Sequence, residues 1–191
     1  MYINPMKWKT RTLGYSGLGL FGFYLLFIYK WTHHLLYKAV VDSEPKYVWE
    51  YVADFSNMMK LNPTIKEFDI IDESGNYDHW KYSVKYTERL SHFPIVQNTA
   101  HGHYSVKPKA VGFVIESKHR TCFLMGMSCL NSYSEFIFVP EGKSTKCIEK
   151  IDYECPLIFS SICRKEVTFQ RQEIMKNLQS HFSTVNLDKE K

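Results

Sequence analysis

The chain has 191 residues, with 24 Lys+Arg against 20 Asp+Glu and a formal charge of +4. Five of the 24 basic residues (Lys7, Lys9, Arg11, Lys30, Lys38) and none of the 20 acidic ones precede Asp42, which leaves 19 against 20 for residues 42–191. The foldable part is electrostatically balanced, which argues against a nucleic-acid partner, and 45% apolar with 16% aromatic residues excludes a mostly disordered chain.

Residues Leu13 to Tyr29, LGYSGLGLFGFYLLFIY, carry no charge. As a helix they would cover roughly 25 Å, a little under a bilayer core of about 30 Å. Trp8, Tyr15, Tyr29 and Trp31 suit the two interfaces, and Lys30 can reach outward. A cleaved signal peptide would need small residues after the apolar run, where Lys30-Trp-Thr-His-His34 stands instead. The reading is a basic flank and single-pass anchor over residues 1–34, a folded domain over 35–187 and a tail over 188–191. The basic flank slightly favours a cytoplasmic N-terminus and a lumenal domain. No usable glycosylation acceptor supports that side, since Asn62-Pro63-Thr64 has proline in the middle. The expected location is an endomembrane such as the endoplasmic reticulum, with the side open.

Leu35–Val41 reads as a strand, and Ser43-Glu-Pro45 offers capping oxygens and a first-turn proline. Val48, Val52 and Phe55 recur at helical spacing through Tyr47–Phe55, and a second short helix over Asn57–Leu61 stops at Pro63. Trp80, Tyr82, Val84 and Tyr86 alternate with polar residues as a half-buried strand. Ala100–Lys107, Ala110–Lys118, Tyr133–Val139 and Lys146–Cys155 continue the pattern as an antiparallel meander, broken at Pro108, Gly126 and Glu141-Gly142. Lys165–Val185 closes the domain as an amphipathic helix, with Val167, Ile174, Leu178, Phe182 and Val185 on one face and Lys165, Arg171 and Lys176 mostly off it.

The order of strand, two short helices, antiparallel strands and long last helix, with Pro45-Lys-Tyr-Val-Trp-Glu-Tyr-Val-Ala-Asp-Phe-Ser-Asn57 and Lys60-Leu-Asn-Pro63, resembles the START-like superfamily, also called SRPBCC. That group includes polyketide cyclase-like proteins, birch-pollen-allergen relatives, START lipid-transfer domains and coenzyme Q-binding proteins. The resemblance implies an α+β helix-grip fold, a curved antiparallel sheet wrapped on the C-terminal helix, with a proline opening the strand after the short helices. It also implies an apolar cavity for a lipid, sterol, quinone or polyketide, and it carries no catalytic residue.

The candidate cavity residues are Trp80, Tyr82, Tyr86, Phe113, Ile115, Phe136, Glu149, Ile151, Tyr153, Ile174, Leu178 and Phe182. Each aromatic taken singly serves equally as core. Glu149 shares its side of a regular strand with Cys147, Ile151, Tyr153 and Cys155. Inward, it must be paired, hydrogen-bonded or protonated, and Arg120 is one available partner; a bulge or a place at the rim would turn it to water. His119-Arg120-Thr121 ends a strand, either at a cavity mouth or at an ordinary hairpin. His101 and His103 share a strand face opposite the apolar Gly102, Tyr104 and Val106, so a metal site is not indicated.

The five cysteines include no CxxC pair and read best as buried free thiols, with a Cys122–Cys129 bridge as the alternative. No motif for nucleophilic catalysis, phosphate or dinucleotide cofactors is present. The functional expectation is a membrane-anchored domain that binds a hydrophobic small molecule or lipid for transfer or presentation, without a cofactor. The rivals are a cyclase-like enzyme, with Glu149 as its one candidate acid or base, and a membrane-tethered protein-interaction module.

Overall fold

The computed structural model describes residues 5–76, 78–123, 126 and 128–189, with side chains from Gly14 to Val185 among them. The basic side chains at Lys7, Lys9 and Arg11, that of Trp8, and the end of the tail lie outside the described residues.

Helix α1 (Pro5–Phe23) runs into a π-helical stretch, Tyr24–Ile28, and strand β1 (Lys30–Val41) follows almost at once. Helices α2 (Pro45–Ala53) and α3 (Phe55–Leu61) come next, then β2 (Ile65–Asn76), β3 (His79–Arg89), β4 (Gln97–Pro108), β5 (Phe113–Phe123), β6 (Ser128–Glu141) and β7 (Ser144–Pro156). A 3₁₀ turn, Leu157–Phe159, leads into α4 (Ser160–Lys189).

The expected transmembrane helix is corrected: among the described residues no helix is long and apolar enough to cross a membrane. The reason is where the helix begins. α1 opens with the polar PMKWKTRT sequence, while the most apolar residues, Tyr24–Ile28, fall in the π-helical stretch beyond its end. Leu18, Leu20, Phe21, Phe23 and Ile28 are all exposed.

The seven strands form one antiparallel sheet in the order β1-β7-β6-β5-β4-β3-β2. The meander accounts for the six strands β2–β7, and β1 adds to the free side of β7, pairing Leu35 with Ile151 and Val41 with Thr145. β2 was not read from the sequence as a strand of its own. It is an exposed edge with Glu67, Asp69, Asp72 and Glu73, where charge discourages further pairing, and two register shifts interrupt its pairing with β3. β5 and β6 are longer than expected, and β5 carries His119, Arg120 and Thr121 within the strand.

Pro45 occupies the first turn of α2, but no side chain caps that helix, contrary to the role expected of Ser43-Glu44. Asp54 breaks the path between α2 and α3 in an extended conformation and accepts a hydrogen bond from Ser56 N at 2.9 Å. Asn57 donates back to Tyr51 O at 3.2 Å. Val48, Val52, Phe55 and Leu61 from these helices are buried against Tyr82, Val84, Tyr104, Phe138, Leu178 and Phe182. Asn177 of α4 donates to Leu61 O, and Gln179 to Val40 O, fixing the helix against α3 and β1.

The cysteine expectation is also corrected. Cys122 bonds to Cys129 and Cys155 to Cys163, leaving Cys147 as the buried free thiol. Cys122 and Cys129 face each other across β5 and β6, and the 3₁₀ turn folds the start of α4 back over the end of β7. Burial pushes the Cys147 thiol up to about 12.

Candidate ligand cavity

Between the sheet and the first half of α4 lies a cavity with about 1330 Å³ of space unoccupied by atoms, its open mouth included. Its walls follow from strand alternation. β5 contributes Ile115, Ser117, His119 and Thr121; β6 contributes Ser132, Ser134 and Phe136; β7 contributes Glu149, Ile151 and Tyr153. Tyr86, Glu88, Asn98 and Tyr104 come from β3 and β4, and Glu166, Val167, Gln170, Arg171 and Ile174 lie on α4.

Of the residues expected to line the cavity, Tyr86, Ile115, Phe136, Glu149, Ile151, Tyr153 and Ile174 stand around it. Tyr82, Leu178 and Phe182 are in the closed core, and Trp80 and Phe113 pack against that core. These five lie further along the same strands and helix, where α2 and α3 fill the space between sheet and α4.

Glu149 points inward and is 1% exposed. Its partner is Arg171 rather than Arg120: Arg171 Nη1 and Ser134 Oγ both donate to Glu149 Oε1 at 2.8 Å. The other carboxylate oxygen, Oε2, and Arg171 Nε are buried without a hydrogen-bond partner. Burial works against the charge on Arg171, but Glu149 and the nearby tyrosines hold its proton more firmly than usual. A buried pair with one oxygen and one N–H unsatisfied is costly unless something polar meets it.

A second polar group closes the side of the cavity towards the β3–β4 loop. Glu166 accepts from Ser91 N at 3.0 Å and 2.9 Å and from Ser91 Oγ at 2.7 Å. Gln170 Nε2 donates to Glu166 at 3.2 Å and to Glu88 at 3.4 Å. Burial first, and then the charge of Glu166, push the Glu88 carboxyl up to about 7, against the opposing pull of Arg171, Asn98 and Gln170.

His119 also faces inward, while Arg120 is exposed on the outer side of β5. Its Nδ1 meets Tyr86 Oη at 3.0 Å and its Nε2 meets Ser117 Oγ at 2.9 Å. Burial, reinforced by Arg171, lowers this histidine to about 3, so it is a neutral imidazole at ordinary pH. Gly102 makes room for it: a Cβ there would lie 2.8 Å from Tyr104 Cε2 and 3.1 Å from His119 Nδ1. Burial raises the Tyr86 and Tyr104 hydroxyls well above their ordinary range, so both stay protonated.

Sequence reading missed Glu88, Gln170 and Arg171 as cavity residues. Glu88 had a signal, since it continues the inward alternation of Tyr82, Val84 and Tyr86. Arg171 gave none apart from its one-turn separation from Ile174, because charge suggested solvent. His101 and His103 are exposed, and His103 bonds to Ser83 at 2.8 Å on the outer face.

No family model and no curated protein matches the chain. Solved structures do. The aromatase/cyclase Zhui from Streptomyces sp. R1128 superposes with a TM-score of 0.60 at 10% identity, over 80% of this chain and 94% of that one. A START superfamily protein from Mycobacterium smegmatis gives 0.57 at 14% identity, over 80% and 99%. Ara h 8.0201 gives 0.55 at 14% identity, over 81% and 99%. At these identities the likeness concerns the fold alone, a helix-grip arrangement of an antiparallel sheet and a long C-terminal helix.

Proposed function

We propose that the domain encloses a neutral, largely apolar ligand whose head carries a hydroxyl group. The supporting observation is the Glu149–Arg171 pair, set in a wall that includes Ile115, Phe136, Ile151 and Ile174, with Glu149 Oε2 and Arg171 Nε both unpartnered. A hydroxyl answers both needs, donating to the carboxylate and accepting from the guanidinium. An anionic head would face Glu149, Glu88 and Glu166 with Arg171 already paired. Apolar walls supply the affinity and the pair fixes orientation.

Transfer or presentation of a sterol or another hydroxyl-bearing neutral lipid at a membrane is the physiological role that fits this ligand class. Exposure of Leu18, Leu20, Phe21 and Ile28 supports membrane association through the N-terminal segment. Two disulfides support placing the domain in an oxidising compartment of the endomembrane system.

The test is uptake of dehydroergosterol, a fluorescent neutral sterol, from cyclodextrin, compared with a fluorescent fatty acid. The sterol should bind more tightly, and Glu149→Gln should weaken it by about ten-fold. Preference for the fatty acid, or no uptake of either, would overturn the reading.

A second reading, a cyclase-like enzyme, draws support from other residues than the one expected. Glu149 is engaged by Arg171, whereas Glu88 titrates near 7 and neutral His119 faces the same cavity. Of the two, Glu88 is able to give and take a proton near neutral pH, while His119 offers hydrogen bonds as a neutral imidazole. Under this reading Glu88→Gln retains uptake and abolishes conversion of an apolar substrate, followed by mass spectrometry.

A further inference from the structure

The registers bring the start of β1, the end of β7, the β5–β6 connection and the β3–β4 loop to one end of the sheet. Lys30 pairs with Pro156, Ser132 with Tyr153, Phe123 with Ser128, Thr99 with Cys122 and Arg89 with Gln97. The cavity reaches this same end, where Leu90, Phe123, Leu130, Ile162 and Cys163 line it.

Around that mouth the surface is unusually apolar. Phe93 and Ile95 stand out from the β3–β4 loop, Ile95 being 97% exposed. Leu157, Ile158, Phe159 and Ile162 are exposed on the opposite side, at the 3₁₀ turn and the first turn of α4. The π-helical stretch Tyr24–Ile28 packs beside that 3₁₀ turn, so the exposed apolar N-terminal segment is continuous with the rim. The other end of the sheet differs: its turns carry Asp42, Glu44, Lys109, Glu141 and Lys143, with Val111 and Tyr47 as exposed large apolar side chains.

We infer that the mouth end of the domain docks onto the surface of an anionic lipid bilayer, with the β3–β4 loop and the 3₁₀ turn dipping among the headgroups on either side of the cavity entrance. The inference rests on the cavity being a ligand site. Three arguments select a bilayer as the occupant. The apolar side chains come from three separate segments that ring an opening, so a flat covering would seal the mouth against water while leaving it open to acyl chains. Basic residues accompany them: Lys30, Arg89, Arg164 and Lys165 lie at this end, while its acidic Glu88 and Glu166 are buried and its Glu154 binds Asn131. Finally, the N-terminal apolar segment leaves the domain from this end, so any lipid contact it makes brings the mouth to the same surface.

Docking also has a mechanical consequence. Ser91 ties the β3–β4 loop to α4 through three hydrogen bonds to Glu166, while Cys155–Cys163 ties the start of α4 to β7. Of these ties at the mouth, the Ser91–Glu166 set is the reversible one, so the loop carrying Phe93 and Ile95 is the side able to part when those side chains enter lipid.

The test is hydrogen exchange of the full-length protein with and without vesicles of phosphatidylcholine and phosphatidylserine. Amides of residues 91–96 and 156–163 should slow by about ten-fold on vesicles, with those of 109–112 and 141–144 unchanged. Protection confined to residues 5–29 would overturn the proposal. So would equal protection at residues 156–163 in concentrated protein without lipid, since a second copy would then be the occupant. The double variant Ile95→Asp/Phe159→Asp should lose the vesicle-dependent protection and transfer dehydroergosterol from vesicles about ten-fold more slowly, while uptake from cyclodextrin stays intact. If that variant does not fold, the exchange pattern of the unaltered protein decides. Absence of sterol uptake from cyclodextrin in the unaltered protein counts against the ligand reading alone, because exchange protection requires no sterol.

Discussion

The two halves of α4 face the same sheet and meet it differently. Along the second half, Met175, Leu178 and Phe182 are buried against Val48, Val52 and the aromatic layer, where Tyr82 and Tyr104 stack at 4.7 Å. Along the first half, Glu166, Gln170 and Arg171 face a cavity. The difference originates in the short helices. α2 and α3 are wedged between sheet and α4 at one end, and among the described residues no element fills the corresponding place at the other, where polar groups hold the walls together. Packing closes one half and hydrogen bonding props the other open.

Removing a prop should therefore cost as much as emptying the packed half. Arg171→Leu leaves Glu149 buried and unpaired, and should lower stability by about 3 to 5 kcal/mol in urea unfolding. Adding Glu149→Leu should recover most of that loss, because two apolar residues leave no buried charge. Equal losses for the single and double variants would mean that the pair is not what supports this half. Leu178→Ala, two turns further along, should cost about 3 kcal/mol through the cavity it creates, and no second polar change should rescue it.

The two halves also differ in pH response, because the most strongly shifted acid and base face the cavity. Glu88 binds its proton more tightly in the folded state, about 7 against an ordinary 4.5, so its contribution is full below 4.5 and is lost as pH rises through 7. His119 does the reverse, at about 3 against an ordinary 6.5: its contribution is full above 6.5 and is lost as pH falls towards 3. Between 4.5 and 6.5 the two slopes oppose each other, and these two contributions should nearly cancel. Glu88→Gln should remove the falling slope, so that stability rises up to pH 6.5 and exceeds the unaltered protein at pH 8 by roughly 3 kcal/mol. A pH series of unfolding curves in which both proteins stay parallel would rule out Glu88 as the titrating group.

The same division explains what could be read from the sequence. The packed half obeys simple periodicity: Val48, Val52 and Leu178 fall at helical spacing and Tyr82, Val84 and Tyr86 alternate, so residue type and position agree. In the cavity half, type and position conflict. Arg171 and Gln170 are polar on a helix face that turns inward, and Glu88 ends a strand in an inward position. Glu149 was identified because its strand neighbours on both sides are plainly apolar or plainly charged. Arg120 was only one of several options for it, and Arg171 was not among them, since pairing across to a helix leaves no trace in strand alternation. The disulfide of Cys155 and Cys163 was hidden for a related reason: it depends on the 3₁₀ turn reversing the chain, whereas Cys122 and Cys129 flank a visible hairpin.

The smallest expected effect separates the halves most cleanly, since it changes one oxygen atom in each. Tyr82 Oη donates to Ala53 O at 2.8 Å, satisfying a carbonyl at the end of α2 in the closed half. Tyr82→Phe should cost about 1 kcal/mol and leave sterol uptake unchanged. Tyr86 lies two inward positions further along β3, past Val84, and its Oη meets His119, so Tyr86→Phe removes a partner from a group that faces the cavity. Its stability cost should be of similar size, about 1 kcal/mol, but uptake should now change as well, because His119 Nδ1 is released to interact with the bound molecule. If both variants alter uptake equally, the two halves are mechanically coupled and the closed half is part of the site. If only Tyr86→Phe does, the boundary between packing and binding runs between two successive inward-facing tyrosines on the same strand.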